Sequence, residues 1–212
     1  MSLKAKKILV TCGPVWSRID DVRVISNISS GQLGQTLAAG LERKGARVTL
    51  LLGPVTQPLT LTRSIRVRRF QYFDELQRLL AAELKNRYHA VIHAAAVSDY
   101  RVRNSSASKI PSGKTLLTLK LAPHPKLIDT IKKRAPRTRL VGFKLIPAGS
   151  DAILKTAANA LLRKAHCDWV VANRIRRGYR GLILDQSGSV RAAAAAKHVL
   201  VQRLIKTLES DL

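Results

Sequence analysis

The stretch ISNISSGQLG, residues 25–34, stands between an apolar run, KILVT at 7–11, and a run at 33–44 that stops at Gly45. Leu33, Leu37, Ala38 and Leu41 recur in that run at helical spacing, and a glycine just past the last periodic residue ends a helix. A strand, a loop rich in Ser and Gly and a helix start make an anion site, because the first N–H groups of a helix lack intrahelical partners and its aligned dipoles favour negative charge there. Gly31 and Gly34 admit close backbone approach, and Ser29 and Ser30 supply capping or phosphate-contacting hydroxyls. The full G-x-G-x-x-G fingerprint is absent, so the shape by itself also fits a plain turn of the chain.

Working outward, residues 46–52, 65–70 and 89–95 read as further buried strands, and 74–87 as a helix with Leu76, Leu79, Leu80 and Leu84 inward. Residues 12–23 read as a loop, since Gly13-Pro14 breaks the pattern. Residues 101–113 are polar and irregular and lead to an alternating strand over 114–121, together a flap-like excursion at about 101–121. A short helix at 125–134, a strand at 139–144, a helix at 151–164 and a strand at 168–172 follow. A hairpin of 181–185 with 189–191 and a helix at 195–208 close the chain. This order predicts a single domain over residues 1–212: a three-layer, Rossmann-like α/β fold with a mostly parallel sheet and helices on both faces. Ligands are expected at the carboxyl ends of the strands.

Composition narrows the partners. The 212 residues include 46% hydrophobic ones, enough for a core, and no apolar run is long enough to span a bilayer, so no membrane association is expected. Residues 1–7 lack the features of a signal peptide, and the two cysteines, Cys12 and Cys167, have no metal spacing. Free thiols in a cytoplasmic protein are expected, a disulfide being the alternative. Thirty-eight Lys and Arg against 13 Asp and Glu give a formal charge of +25, which attracts anions: phosphorylated small molecules or, nonspecifically, polyanions. At 4% aromatic, the chain lacks the stacking platforms of single-strand binders. His89, His93, His124, His166 and His198 form no metal set.

Several segments taken in order, KILVTCGPVWSRIDDVRVISNISSGQLG, GARVTLLLGPV, HAVIHAAAVSDYR, SKI, LVGFK and DWVVAN, resemble the successive blocks of phosphopantothenoylcysteine synthetase, the ligase of coenzyme A synthesis that is often fused behind a flavin-dependent decarboxylase. The resemblance covers roughly residues 7–173 and implies a stand-alone synthetase domain without flavin. It implies activation of 4'-phosphopantothenate by CTP (ATP in some members) with Mg2+, then coupling to cysteine with release of CMP and pyrophosphate. It also implies a homodimer with the flap region at the interface. By resemblance, Asn27 handles the acyl-cytidylate and Lys109, on the flap, stabilises charge as it forms. Gly13, Ser29, Ser30, Gly31, Gly34 and Ala95 belong to the nucleotide and phosphate site. Asp99 lies near ribose, base or metal, Phe143 selects the base through its backbone, and Lys164 or Arg163 contacts the triphosphate. The first loop departs from the family pattern at Pro14, Val15 and Arg18, as do Leu145-Ile146-Pro147 and Arg174, which leaves open a weakened activity. The alternatives are a basic nucleotide- or nucleic-acid-binding paralogue, or an NAD(P)-dependent reductase, which the absent G-x-G-x-x-G and Tyr-x-x-x-Lys disfavour.

Overall fold

The computed structural model describes residues 3–113 and 115–212. Its centre is β1 (Lys7–Cys12), whose Ile8, Leu9 and Val10 are wholly buried. Beside it lie β4 (Arg47–Leu52) and β5 (Arg66–Arg69) on one side. On the other lie β6 (Ala90–His93), β9 (Arg139–Ile146) and β10 (Trp169–Arg174), all parallel to β1. The C-terminal hairpin, β11 (Arg180–Asp185) and β12 (Val190–Ala194), extends this sheet antiparallel, giving eight strands. Strands covered on both faces are apolar throughout, which is why β1, β4 and β6 read as unbroken runs.

Helices α1 (Gln32–Arg43) and α5 (Lys197–Asp211) cover one face with Leu37, Leu41, Leu200 and Leu204 against Ile8, Val10 and Leu50. Helices α2 (Phe73–Glu83), α3 (Ile128–Arg134) and α4 (Asp151–Ala165) cover the other with Leu76, Leu80, Ile131 and Leu154 against Leu9, Leu51 and Val91. This is the expected three-layer, Rossmann-like fold. A 3₁₀ turn, Leu84–Asn86, finishes the helix predicted to run to 87. No helix among the described residues is long and apolar enough to cross a membrane.

Three expectations change. Residues 12–23 are more than a loop: β2 (Trp16–Arg18) pairs antiparallel with β3 (Val24–Ser26). Three-residue strands are too short to show a period. The strand expected over 114–121 is not formed: Lys114 lies outside the described residues, and the ladder joins β7 (Tyr100–Val102) to β8 (Leu121–Pro123). The alternation there buries nothing, for Leu116 is 78% exposed. The second hairpin strand, expected over 189–191, runs instead over Val190–Ala194, with Ala192, Ala193 and Ala194 paired to β11.

Candidate active site

The chain leaves β1 toward β4 and leaves β6 toward β9, so the connections diverge and open a crevice beyond the carboxyl ends of β1 and β6. Past the ends of the strands, the two chains stay hydrogen-bonded. Ala94 N–H donates to Thr11 carbonyl at 3.0 Å, Ala96 N–H to Gly13 carbonyl at 2.9 Å, and Val15 N–H to Ala96 carbonyl at 3.2 Å. His93 Nδ1 and Thr11 Oγ1 lie 2.9 Å apart in the core, and Ala95 N–H donates to the same hydroxyl at 3.3 Å. Burial pushes the His93 pKa down to about 4, which keeps the ring neutral. Cys12 and Cys167 are free and buried, and burial raises both thiols to about 12, far from nucleophilic.

The turn before α1 packs onto this edge. Gly31 takes the left-handed conformation (φ 65°) as the N-cap, and a Cβ there would meet Val55 at 2.7 Å and Gly13 Cα at 3.1 Å. Gly13, at φ 85°, lies as close to Gly53. Ser29 Oγ accepts from Gly31 N–H at 3.4 Å and Ser30 Oγ from Gln32 N–H, the first of α1, at 3.3 Å, so both serines shape the turn while the N-cap Gly31 itself has no side chain to cap with. The positive end of α1 lies next to Gly13. Gly34 serves differently from the expectation of a phosphate contact: it is buried, and a Cβ there would lie 2.2 Å from Cys12 Cβ, so it lets α1 lie against β1.

Asn27 reaches the same edge, its Nδ2 donating to Ala96 carbonyl at 3.1 Å. The structure thus gathers Gly13, Asn27, Ser29, Ser30, Gly31 and Ala95. Asp99 follows on an exposed segment, with its carboxylate paired to Lys126 and its carbonyl accepting from His124 N–H at 2.8 Å. The His124 ring stacks on Phe73 at 3.9 Å, and its pKa is lowered by burial and by Arg101. Phe143 lies one register step beyond Gly142, the partner of His93 at the end of β6, with its side chain half-buried against the α1–α5 layer. Lys109 is exposed on the flap, with no ion pair among the described residues.

Arg163 and Lys164 are not brought to this edge. They occupy the last turn of α4, which runs back along the sheet from the carboxyl end of β9 to the amino end of β10, about 22 Å for its 15 residues. Asp168 marks that far edge, pairing with Arg139 at 2.8 Å and Lys132 at 2.7 Å. Two pairs that the sequence reading missed lie nearer the site. Asp20 and Arg23 form the tip of the β2–β3 hairpin, and their Asp-x-x-Arg spacing was the only signal. Arg180 holds Asp151 at the start of α4, and the neighbouring Arg174 keeps a buried Nε without a partner among the described residues.

Residues 3–209 match the model of the DNA/pantothenate metabolism flavoprotein C-terminal domain. The chain belongs to this family. Over 176 residues it is 40% identical to the coenzyme A biosynthesis bifunctional protein CoaBC of Thermococcus kodakarensis, covering 82% of this chain and 43% of that protein. The chain thus spans less than half of that relative's length. The DNA/pantothenate metabolism flavoprotein of Streptococcus pneumoniae superposes with a TM-score of 0.88 at 24% identity, covering 98% of this chain and 100% of that one. A Cab2 variant in complex with phosphopantothenate–cysteine superposes at 0.77 with 17% identity, covering 97% and 87%. At these identities the superpositions establish the shared fold of this flavoprotein C-terminal domain.

Proposed function

We propose that this flavoprotein C-terminal domain is a phosphopantothenate–cysteine ligase of coenzyme A synthesis, using CTP as the activating nucleotide. The observation that carries the reading is the convergence of Asn27 with the Gly13–Gly31 turn and the start of α1 at the switch between β1 and β6. In the first step a carboxylate oxygen of 4'-phosphopantothenate attacks the α-phosphorus of CTP, and the bond to pyrophosphate breaks. The helix start and Lys109 offset the negative charge that gathers on the phosphates. In the second step the cysteine amine attacks the acyl carbon, the bond to CMP breaks and an amide forms as the nitrogen loses its proton to solvent. The Asn27 amide, a donor already aimed at a carbonyl, is suited to the acyl oxygen.

Among the described residues no group of three His, Cys, Asp or Glu converges. Asp99 is the one carboxylate named for a metal, and it is engaged by Lys126. The donor set does not make a protein-held site. A Mg2+ ion fits this edge only as a companion of the nucleotide phosphates, keeping its waters. No flavin is assigned to this domain. Exposed Tyr100, Leu116, Leu117 and Leu121 on the flap favour a homodimer through that region, which sedimentation tests directly.

The function is tested by pyrophosphate release with CTP, Mg2+ and 4'-phosphopantothenate, with and without cysteine. Release is expected to require phosphopantothenate and to collapse in Lys109→Ala. Asn27→Ala is expected to lose mainly the cysteine-dependent step. A folded protein that releases no pyrophosphate from CTP or ATP overturns the reading. The charge of +25 favours a second one, a basic binding protein on the same fold, which nucleic-acid binding that survives physiological salt would support.

A further inference from the structure

Asp20 is a carboxylate with no side-chain exposure, at the tip of the β2–β3 hairpin. It accepts from Val22 N–H at 3.0 Å and Arg23 N–H at 2.8 Å, and from the Arg23 guanidinium through Nε at 2.9 Å and through Nη2. A fifth donor comes from ninety residues away: the backbone N–H of Ile110, at 3.0 Å. Arg23 Nη2 returns the contact by donating to the Ile110 carbonyl at 2.7 Å. One ion pair therefore grips both backbone groups of the residue next to Lys109. Ser106 N–H donates to Ile19 carbonyl at 2.9 Å and Val102 N–H to Ser17 Oγ at 3.0 Å, so the excursion lies along the hairpin from base to tip. The other arm of the hairpin, β3, runs directly into Asn27.

A plain Asx turn accounts for the bonds to Val22 and Arg23. It does not account for the two bonds to Ile110. A carboxylate has about four lone-pair directions, and five N–H groups fill them, so Asp20 has no capacity left for substrate or metal. Residues 103–113 are mostly exposed and bury little apolar surface, so few other contacts are available to hold the segment that carries Lys109. We propose that Asp20 and Arg23 are positioning residues: they clamp the flap at Ile110, hold Lys109 over the phosphates and couple its position to that of Asn27 through one hairpin. The role of Lys109 in this proposal rests on the ligase reading; the clamp itself does not.

The test combines kinetics with hydrogen exchange on the full chain. Asp20→Asn is expected to lower pyrophosphate release about 10- to 100-fold, as misplacement of a charge-stabilising group does. In a Lys109→Ala background the same change is expected to add less than about 2-fold, because the two act as a unit. Full additivity overturns positioning through Lys109. Arg23→Lys, which keeps the turn but loses the fork, is expected to fall between the two. Exchange of the Ile110 amide is expected to quicken about 10-fold or more in Asp20→Asn while β1 and β9 keep their protection. Unchanged Ile110 exchange overturns the clamp. If the wild type releases no pyrophosphate, the ligase reading fails, and exchange alone decides whether Asp20 holds the flap.

Discussion

A methyl group on Gly34 would sit 2.2 Å from Cβ and 3.1 Å from Sγ of Cys12. Neither backbone has room to retreat, since β1 is held on both sides and α1 is pinned by Leu37 and Leu41. Gly34→Ala is expected to cost about 3 kcal/mol by overpacking, read as a lower urea midpoint at unchanged slope. His93 gives a second prediction at this scale. An unfolded histidine takes a proton near pH 6.5, whereas buried His93 refuses one until about 4. Between those values the unfolded state binds more protons than the native one. Stability is therefore fully present above about pH 6.5 and falls by about 1.4 kcal/mol per pH unit toward 4. His124, lowered by burial and Arg101, adds a contribution of the same sign. Urea midpoints at pH 7, 6 and 5 are expected to flatten in His93→Gln relative to the wild type.

Among the elements, the end of α2 is fastened to the sheet edge by one acid. Glu83 is 1% exposed and accepts from Arg68 at 2.8 Å, Asn86 at 2.9 Å and the Tyr88 hydroxyl at 2.6 Å, with Arg66 at 3.6 Å. The Thr49 hydroxyl on β4 in turn donates to the Tyr88 oxygen at 2.9 Å. Removing this hub leaves a buried hydroxyl underpaired and two arginines uncompensated. Both arginines reach solvent, which softens the loss. Glu83→Ala is expected to cost about 2 kcal/mol, and pairing it with Tyr88→Phe in a double-mutant cycle is expected to show clear coupling. The periodicity of residues 74–87 announced this helix. The Glu83 hub was not legible in it, because a lone acid at a helix end usually faces water.

Charge acts on the whole molecule. A net +25 on 212 residues repels itself in the compact state, and salt screens that repulsion. The melting temperature is therefore expected to rise by a few degrees between roughly 10 and 300 mM KCl. Affinity for a random DNA duplex is expected to fall steeply, in log–log proportion, over the same range. A melting temperature flat in salt would show that the positive charges are already locally compensated. Much of the cationic surface lies where the fold, not the site, puts it: Lys132, Lys133 and Arg134 end α3, and Arg163 and Lys164 end α4, favourable places for cations against the helix dipole.

Read by itself, the chain determined the layers, the order of the long strands and helices, and the Ser- and Gly-rich turn before α1. Each of those rests on local pattern: unbroken apolar runs, a 3.6-residue period, a glycine stop. It also determined the family, through motifs such as ISNISSGQLG and HAAAVSD whose order survives in a linear text. Only the tertiary structure decided that Gly34 packs on Cys12, that Arg163 and Lys164 end up a helix length from the site, and that Asp20 holds Ile110 across ninety residues. Those outcomes depend on which segments the sheet brings side by side, and a single carboxylate or glycine carries no local signal of the partner it will meet.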